Sequence, residues 1–347
     1  MMSALWIAAC SLLLLSSSSG VEGIGVNYGM IANNLPSPDK VIALYRSRNI
    51  TDVRLFHPNT TVLAALQGSG LGVVLGTLNE DLARLASDAS FAASWVQSYV
   101  QPFAGAVRFR YVAAGNEVIP GDLAAYVLPA MRNLESALHA AGIAGVPVTT
   151  AVSTSVLGSS YPPSQGAFSE AALPTVGPIA SFLASRSTPL LVNVYPYFAY
   201  AADPSSVQLD YALLEPASAA AVTDGGVAYT NMFDAIVDAV HAALDRVAGA
   251  QGQEGVEVVV SETGWPSGGG GAGASVGNAA AYVNNVVRHV GSGRGTPRRP
   301  GKALEAFIFA MFNENEKPEG VEQHFGLFQP DMTEVYHVDF TAAGSSS

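Results

Sequence analysis

A closed parallel (β/α)8 barrel, folded as a single α/β domain, is the fold class that the sequence predicts. Three observations carry that expectation. Short β-branched apolar runs alternate with helix-period runs along most of the 347 residues, and eight strand-like runs can be counted. The first of them lacks the Gly-x-Gly-x-x-Gly turn of an open dinucleotide-binding sheet, which makes a doubly wound sheet the second choice. At 49% hydrophobic, the chain can bury one large core, and its length suits one domain better than two.

The strands are expected over Ile24 to Tyr28, Asp52 to Phe56, Gly72 to Thr77, Phe109 to Gly115, Val148 to Ser153, Leu190 to Val194, Glu257 to Ser261 and Ala306 to Met311. Between them, apolar residues recur three and four apart over Asp39 to Arg48, Phe91 to Phe103, Ala124 to Ala141, Ile179 to Ser185, Phe233 to Val247 and Ala279 to Val290, the period of a helix with one buried face. Ser37-Pro38 puts proline in a first turn, and Gly142 suits a left-handed cap. The Gly268 to Gly277 run reads as a loop leaving the seventh strand, since no Gly-Lys-Ser or Gly-Lys-Thr follows to bind phosphate.

Residues Ala4 to Leu15 are apolar and are followed by Ser16 to Ser19 and Gly20, a stretch too short to span a bilayer. It predicts a secretory leader over residues 1–23, cleaved between Gly20 and Gly23, although only the terminal amine supplies its positive charge. The sole cysteine, Cys10, falls inside it, so the barrel expected over 24–340 holds neither a disulfide nor a thiol nucleophile. The tail over 341–347 is small and polar, and no lipid anchor is expected. Export to the extracellular space or cell wall, with the vacuole as the other destination, would make Asn49-Ile50-Thr51 and Asn59-Thr60-Thr61 acceptors for glycosylation.

A formal charge of -12 argues against nucleic acid as a partner, because phosphate binding needs clustered Lys and Arg. Arg294, Arg298 and Arg299 lie among Gly and Pro and read as a solvated loop. His57, His139, His241, His289, His324 and His337 show no ligand spacing, so no metal is expected. No cofactor is expected either, and the absence of a Gly-x-Ser-x-Gly elbow argues against a serine hydrolase. A neutral substrate and a monomeric protein remain.

The chemistry is expected where strands four and seven end. Glu117 and Glu262 each follow an apolar run and so emerge at the same C-terminal barrel face. Read alone, either glutamate is as compatible with a salt bridge as with catalysis; the pair selects glycoside hydrolysis. That reaction needs one carboxyl to protonate the leaving oxygen and another to attack or to activate water. The acid must stay protonated, the nucleophile ionised, and the environments must therefore differ. Glu117, beside an Asn116 amide that suits a sugar hydroxyl, is expected as acid/base, and Glu262, positioned by Thr263 and Trp265, as nucleophile, with Trp265 expected to bind substrate as well. Glu314, Lys317 and Glu322 follow strand eight at the same face and are expected to bind substrate. So are Asn193, Tyr195 and Phe198 after strand six and Tyr28, next to Asn27, after strand one, whose aromatic rings can stack on pyranose faces. Core packing is the competing reading for Phe198.

At these residues the chain resembles the plant family-17 glycoside hydrolases, the β-1,3-glucanases and their β-1,3;1,4-glucanase relatives. The motifs run in family order: Gly25 to Gly29 with Asn33-Asn34-Leu35-Pro36, Gly115-Asn116-Glu117, Asn193 to Phe198, Asn231 to Ala235, Ser261 to Pro266, and Phe309 to Asn315. The resemblance implies a (β/α)8 barrel of retaining enzymes, with the acid/base on strand four (Glu117), the nucleophile on strand seven (Glu262), and Glu314, Lys317 and Glu322 supporting the cleft. Retention implies carboxyl groups roughly 5 Å apart. One departure stands out. Where many relatives have Arg-Leu-Tyr-Asp-Pro-Asn, this chain has Arg54-Leu55-Phe56-His57-Pro58-Asn59, which removes a hydroxyl and a carboxylate near the cleft and leaves substrate preference and pH optimum open. The expected function is a secreted retaining endo-β-1,3-glucanase acting on wall β-glucan, in plant defence or callose turnover. A β-1,3;1,4-glucanase is the nearer alternative, and a non-catalytic glucan-binding wall protein the farther one.

Overall fold

A computed structural model describes residues 23–216, 222–251 and 255–341. The leader expected over 1–23 lies outside the described residues except for Gly23, as does the tail beyond Thr341. Eight parallel strands close into a barrel: β1 (Ile24–Tyr28), β2 (Asp52–Leu55), β3 (Gly72–Gly76), β4 (Arg108–Asn116), β5 (Val148–Ser153), β6 (Leu190–Asn193), β7 (Val258–Thr263) and β8 (Ala306–Ile308). Each pairs with the next in sequence, and β8 returns to β1 through Ile24 opposite Ala306. These are the eight expected strands with ends shifted by a few residues. One shift matters: β7 extends through Thr263, so Glu262 lies within the strand and not beyond it.

The strands are buried on both faces, as β-branched runs in a helix-covered parallel sheet must be. Val74, Ala113, Ala151, Leu191, Val259 and Phe307 form a small apolar cluster on the barrel axis, while Val258, Val260, Leu190 and Val192 face the helices in the larger core. Phe307 fits because Gly25 faces it with no side chain; a Cβ there would stand 2.2 Å from the ring.

Ten helices are described: α1 (Pro38–Ser47), α2 (Thr60–Leu66), α3 (Leu82–Ser87), α4 (Ala89–Tyr99), α5 (Ala124–Ala140), α6 (Leu173–Ala184), α7 (Pro196–Ala202), α8 (Leu209–Ala212), α9 (Met232–Gln251) and α10 (Val276–Gly291). Six correspond to the expected ones. Four short helices, α2, α3, α7 and α8, give too few turns for a period to show in the sequence. The sixth starts at Leu173 and not at Ile179, because Pro174 occupies the first turn, where no backbone donor is needed, and Pro178 is tolerated one turn later. Side chains cap α2, α4 and α10: Asn59 accepts from Thr61 and Val62, Asp88 from Ser90 and Phe91, and Ser275 from Asn278. Asn59, the asparagine of the second sequon, is thus a helix cap.

The floor of the barrel holds a charge network. Register jumps between β3 and β4 after Val73, which pairs with Phe109, so that Val74 pairs with Tyr111 and Arg110 is the extra residue. Arg110 reaches Asp52 at 3.1 Å and Glu305 at 2.8 Å, and Arg108 adds a contact to Asp52 at 3.3 Å. The two carboxylates are buried and need that cation: Arg110→Met is expected to cost about 3 kcal/mol of stability in urea denaturation, by leaving two buried acids short of their partner.

Candidate active site

Both glutamates owe their direction to bulges. Along β7 the side chains alternate from Val258 outward to Val259 on the axis and Val260 outward, a pattern that would place Ser261 inward and Glu262 against the helices. The register with β6 slips between Val260 and Glu262, and with β8 between Val260 and Thr263. Ser261 and Glu262 therefore both face the axis, while Thr263 turns out to bond the Tyr282 hydroxyl of α10. On β4 the slip falls between Ala113 and Asn116, opposite Thr149 and Ala151 of β5. Gly115 absorbs it at φ +77°, where a side chain would be strained and its Cβ would meet Leu82 at 2.8 Å. Asn116 and Glu117 then both turn inward.

One amide joins the two acids. The Asn193 side-chain nitrogen, at the end of β6, donates to Glu117 Oε1 at 2.8 Å and to Glu262 Oε1 at 2.8 Å. The two oxygens therefore lie no farther apart than twice that distance. Asn193 is itself held, its Oδ1 accepting from Ser261 Oγ at 2.7 Å and from Arg54 at 3.3 Å.

The surroundings of the two carboxyls are unequal. Glu262 receives the Arg54 guanidinium at 2.7 Å on one oxygen and the Tyr195 hydroxyl at 2.8 Å on the other. Arg54 is 2% exposed, in the middle of β2, and its fork also reaches the Ser261 carbonyl at 3.0 Å and Asn116 Oδ1 at 2.8 Å. The ring of Phe56 lies over it at 4.7 Å. Glu117 opens onto the cleft but is walled in by protein, and among the described residues its carboxyl accepts only the Asn193 hydrogen bond. Loss of hydration and then the neighbouring charge of Glu262 raise its pKa above the usual glutamate range, with the Asn193 bond and Arg54 opposing them.

The cleft above this pair has a volume of about 730 Å³. Glu117, Glu262, Tyr28, Asn116, Asn193, Tyr195, Phe198, Glu314, Lys317 and Glu322 all line it. Tyr28 is buried, with an edge contact to Phe312, and burial pushes its hydroxyl up to about 12. Phe198 is 44% exposed and leans on Tyr195 and Phe325, so it is wall and not core. Glu314 accepts from the Ile31 backbone at 2.7 Å and fills the space over Gly29, whose missing Cβ would stand 2.2 Å from it. Burial raises its pKa, and Lys317, 3.9 Å away, opposes that. Lys317 sits equally far from Glu322 and over the Phe309 ring at 4.3 Å.

Trp265 requires correction. It is 0% exposed and lies behind the cleft, packed against Tyr197, Tyr200 and Tyr282, with its indole N–H on the Gly273 carbonyl at 2.9 Å. Gly264 lies so close to the Phe309 carbonyl that a Cβ there would stand 2.3 Å from it, and Trp265, two residues after Thr263, shares its outward side and its neighbour Tyr282, beneath the Gly-rich loop that carries Gly273. Its contacts anchor that loop; they offer no face to a sugar.

Sequence reasoning assigns no role to Arg54 and none specific to Phe309 and Phe325, which also line the cleft. A signal for Arg54 was present: an arginine between Val53 and Leu55 in a buried strand needs a carboxylate partner. Among the described residues no cluster of three or more His, Cys, Asp and Glu side chains could hold a metal ion.

The like charge of Glu262 helps raise Glu117, so removing it should reverse part of the shift. In Glu262→Gln the Glu117 carboxyl is expected to titrate at lower pH than in the parent, followed by carboxyl ¹³C NMR. Glu322→Gln should move it the same way by less. A Glu117 titration unmoved by either change would contradict the electrostatic assignment.

A sequence profile of glycosyl hydrolases family 17 matches residues 24–340. A putative glucan endo-1,3-beta-glucosidase GVI of Hordeum vulgare is 76% identical over 94% of this chain and all of its own length. Lichenase-2 of the same species is 48% identical over 92% of this chain and 99% of its own. The structure of a beta-1,3-glucanase and allergen of Cryptomeria japonica pollen superposes with a TM-score of 0.88 at 42% identity, covering 92% of this chain and 99% of that one. A match along the whole barrel, at identities far above those that show fold alone, places this chain in glycosyl hydrolases family 17.

Proposed function

We propose that the chain is a secreted, retaining endo-β-1,3-glucanase in which Glu262 is the nucleophile and Glu117 the general acid/base. The observation that carries the reading is the unequal sharing of one cation between two close carboxyls. Glu262 takes Arg54 directly, together with Asn193 and Tyr195, three donors aimed at the negative charge that an attacking carboxylate carries. Glu117 has no such contact, and its raised pKa favours the protonated form that an acid needs. Two oxygens that share one nitrogen at 2.8 Å support double displacement, since an inverting pair must stand about 6.5–9.5 Å apart to admit a water.

In the first step a Glu262 oxygen bonds to the anomeric carbon as the glycosidic C–O bond breaks, and the Glu117 proton passes to the departing oxygen. In the second, Glu117, now a carboxylate, takes a proton from water, whose oxygen displaces Glu262 and restores both groups. Asn193, Tyr195 and Arg54 keep Glu262 aimed throughout. Because the acid must be protonated, activity falls as pH rises through the Glu117 pKa, and the raised value carries that alkaline limb above where an ordinary glutamate would put it.

The glucan linkage is proposed from the relatives' names, and the lichenase relative favours β-1,3;1,4-glucan as the second reading. The parent is expected to release reducing ends from laminarin faster than from mixed-linkage glucan; the opposite order would select the second reading. Glu262→Ala should lose roughly a thousandfold or more of that rate. Added azide should then give an α-glycosyl azide with Glu262→Ala, attacking from the vacated face, and a β-glycosyl azide with Glu117→Ala, by capturing the intermediate. Full activity of Glu262→Ala without azide would remove it as the nucleophile.

A further inference from the structure

His57 is a polar group in the cleft that the mechanism leaves unused. It lies in the turn after β2, half-buried among the cleft-lining residues, and among the described residues its ring makes no hydrogen bond or ion pair. Asn116, Asn193, Tyr195 and Glu314, polar side chains that line the same cleft, are by contrast engaged. Its neighbour Phe56 is committed as well, face-on to Arg54 and edge-on to Phe309 at 6.1 Å.

The backbone that carries His57 is held on both sides. On one side the Phe56 carbonyl packs against Gly76 of β3 so closely that a Cβ there would lie 2.3 Å from its oxygen. On the other, Asn59 caps α2. Burial keeps the ring below its usual pKa range, with Glu80 partly opposing, so it is uncharged at neutral pH. A neutral imidazole offers one donor and one acceptor, the pair that a sugar hydroxyl can engage.

We propose that His57 is a specificity-determining contact that hydrogen-bonds a glucose hydroxyl of the bound glucan on the β1–β2 side of the cleft, away from the bond being cut. This rests on the glucanase reading above. A ring linked through O3 leaves its 4-hydroxyl free, whereas one linked through O4 leaves its 3-hydroxyl free. A fixed donor and acceptor at one position therefore meets different groups in the two polymers. A carboxylate in the same place could accept from a hydroxyl but not donate to one.

Initial rates of the parent, His57→Leu and His57→Asn on laminarin and on mixed-linkage glucan test this. His57→Leu is expected to raise KM for laminarin about 3- to 10-fold with kcat within about twofold, the size of one neutral hydrogen bond. The factor on mixed-linkage glucan should differ, and His57→Asn, which keeps a donor and an acceptor, should recover most of the loss. An unchanged KM in His57→Leu, equal factors on the two polymers, or a fall in kcat alone would overturn the proposal; the last would mean that His57 acts through Phe56 and Arg54. Turnover by the parent tests the glucanase reading separately. Were the parent inactive on both polymers, retardation in laminarin-containing gels reads the contact directly: weaker retardation of His57→Leu than of the parent supports it, and equal or absent retardation overturns it.

Discussion

One guanidinium placed beside two carboxyls is the constraint on which the site depends. Two ionised carboxylates about 5 Å apart repel by about 3 kcal/mol at an effective dielectric of about 20, and a neutral hydrogen bond returns only about 1 kcal/mol. The shared Asn193 amide alone therefore cannot hold both acids ionised. Arg54 breaks the tie by bonding Glu262 and reaching Glu117 only at a distance. The chemical division of labour follows from that asymmetry. It also explains the cost accepted in β2, where a fully buried guanidinium occupies a position that its neighbours Val53 and Leu55 would fill with hydrocarbon.

The barrel supplies what Arg54 cannot: direction. A regular β7 would point Glu262 at the helices, and a regular β4 would point only one of Asn116 and Glu117 inward. The two bulges bring Asn116, Glu117, Ser261 and Glu262 to the axis together, and Arg54 and Asn193 then tie β2, β4, β6 and β7 into one hydrogen-bonded ring. Aromatic walls from Tyr195, Phe198, Phe309 and Phe325 restrict water on one side of the pair. At the opposite end Arg110, itself carried by a bulge, neutralises Asp52 and Glu305, so the barrel is polar at both ends and apolar between.

The fold was legible because its signal is repeated. Eight apolar runs each gave a strand, since burial on both faces leaves a run with no competing pattern. The site was partly legible: residues at the C-terminal ends of the strands reached the cleft as expected, Glu117 just past β4 and Glu262 next to last in β7 among them, because position along a parallel strand fixes which end a residue occupies. What sequence alone could not supply was orientation. Trp265, three residues after Glu262, is expected over the cleft but lies behind it, on the side to which the β7 bulge turns Thr263, and that bulge leaves no periodic mark in the sequence. The bulges are equally silent apart from Gly115, whose positive φ marks one of them. Arg54 depended on contacts across the barrel between residues more than 200 positions apart, which no local pattern records.

The central claim is that Glu262, the acid paired with Arg54, forms the covalent bond to sugar. A 2-deoxy-2-fluoro laminaribioside with a good leaving group slows both steps, and the leaving group then lets the first outrun the second. Peptide mass spectrometry of the protein inactivated by that reagent tests the claim most directly. The account predicts one glycosyl adduct on the peptide containing Glu262, at that residue; an adduct on Glu117, or rapid turnover of the reagent's leaving group with inversion and no adduct, would contradict it.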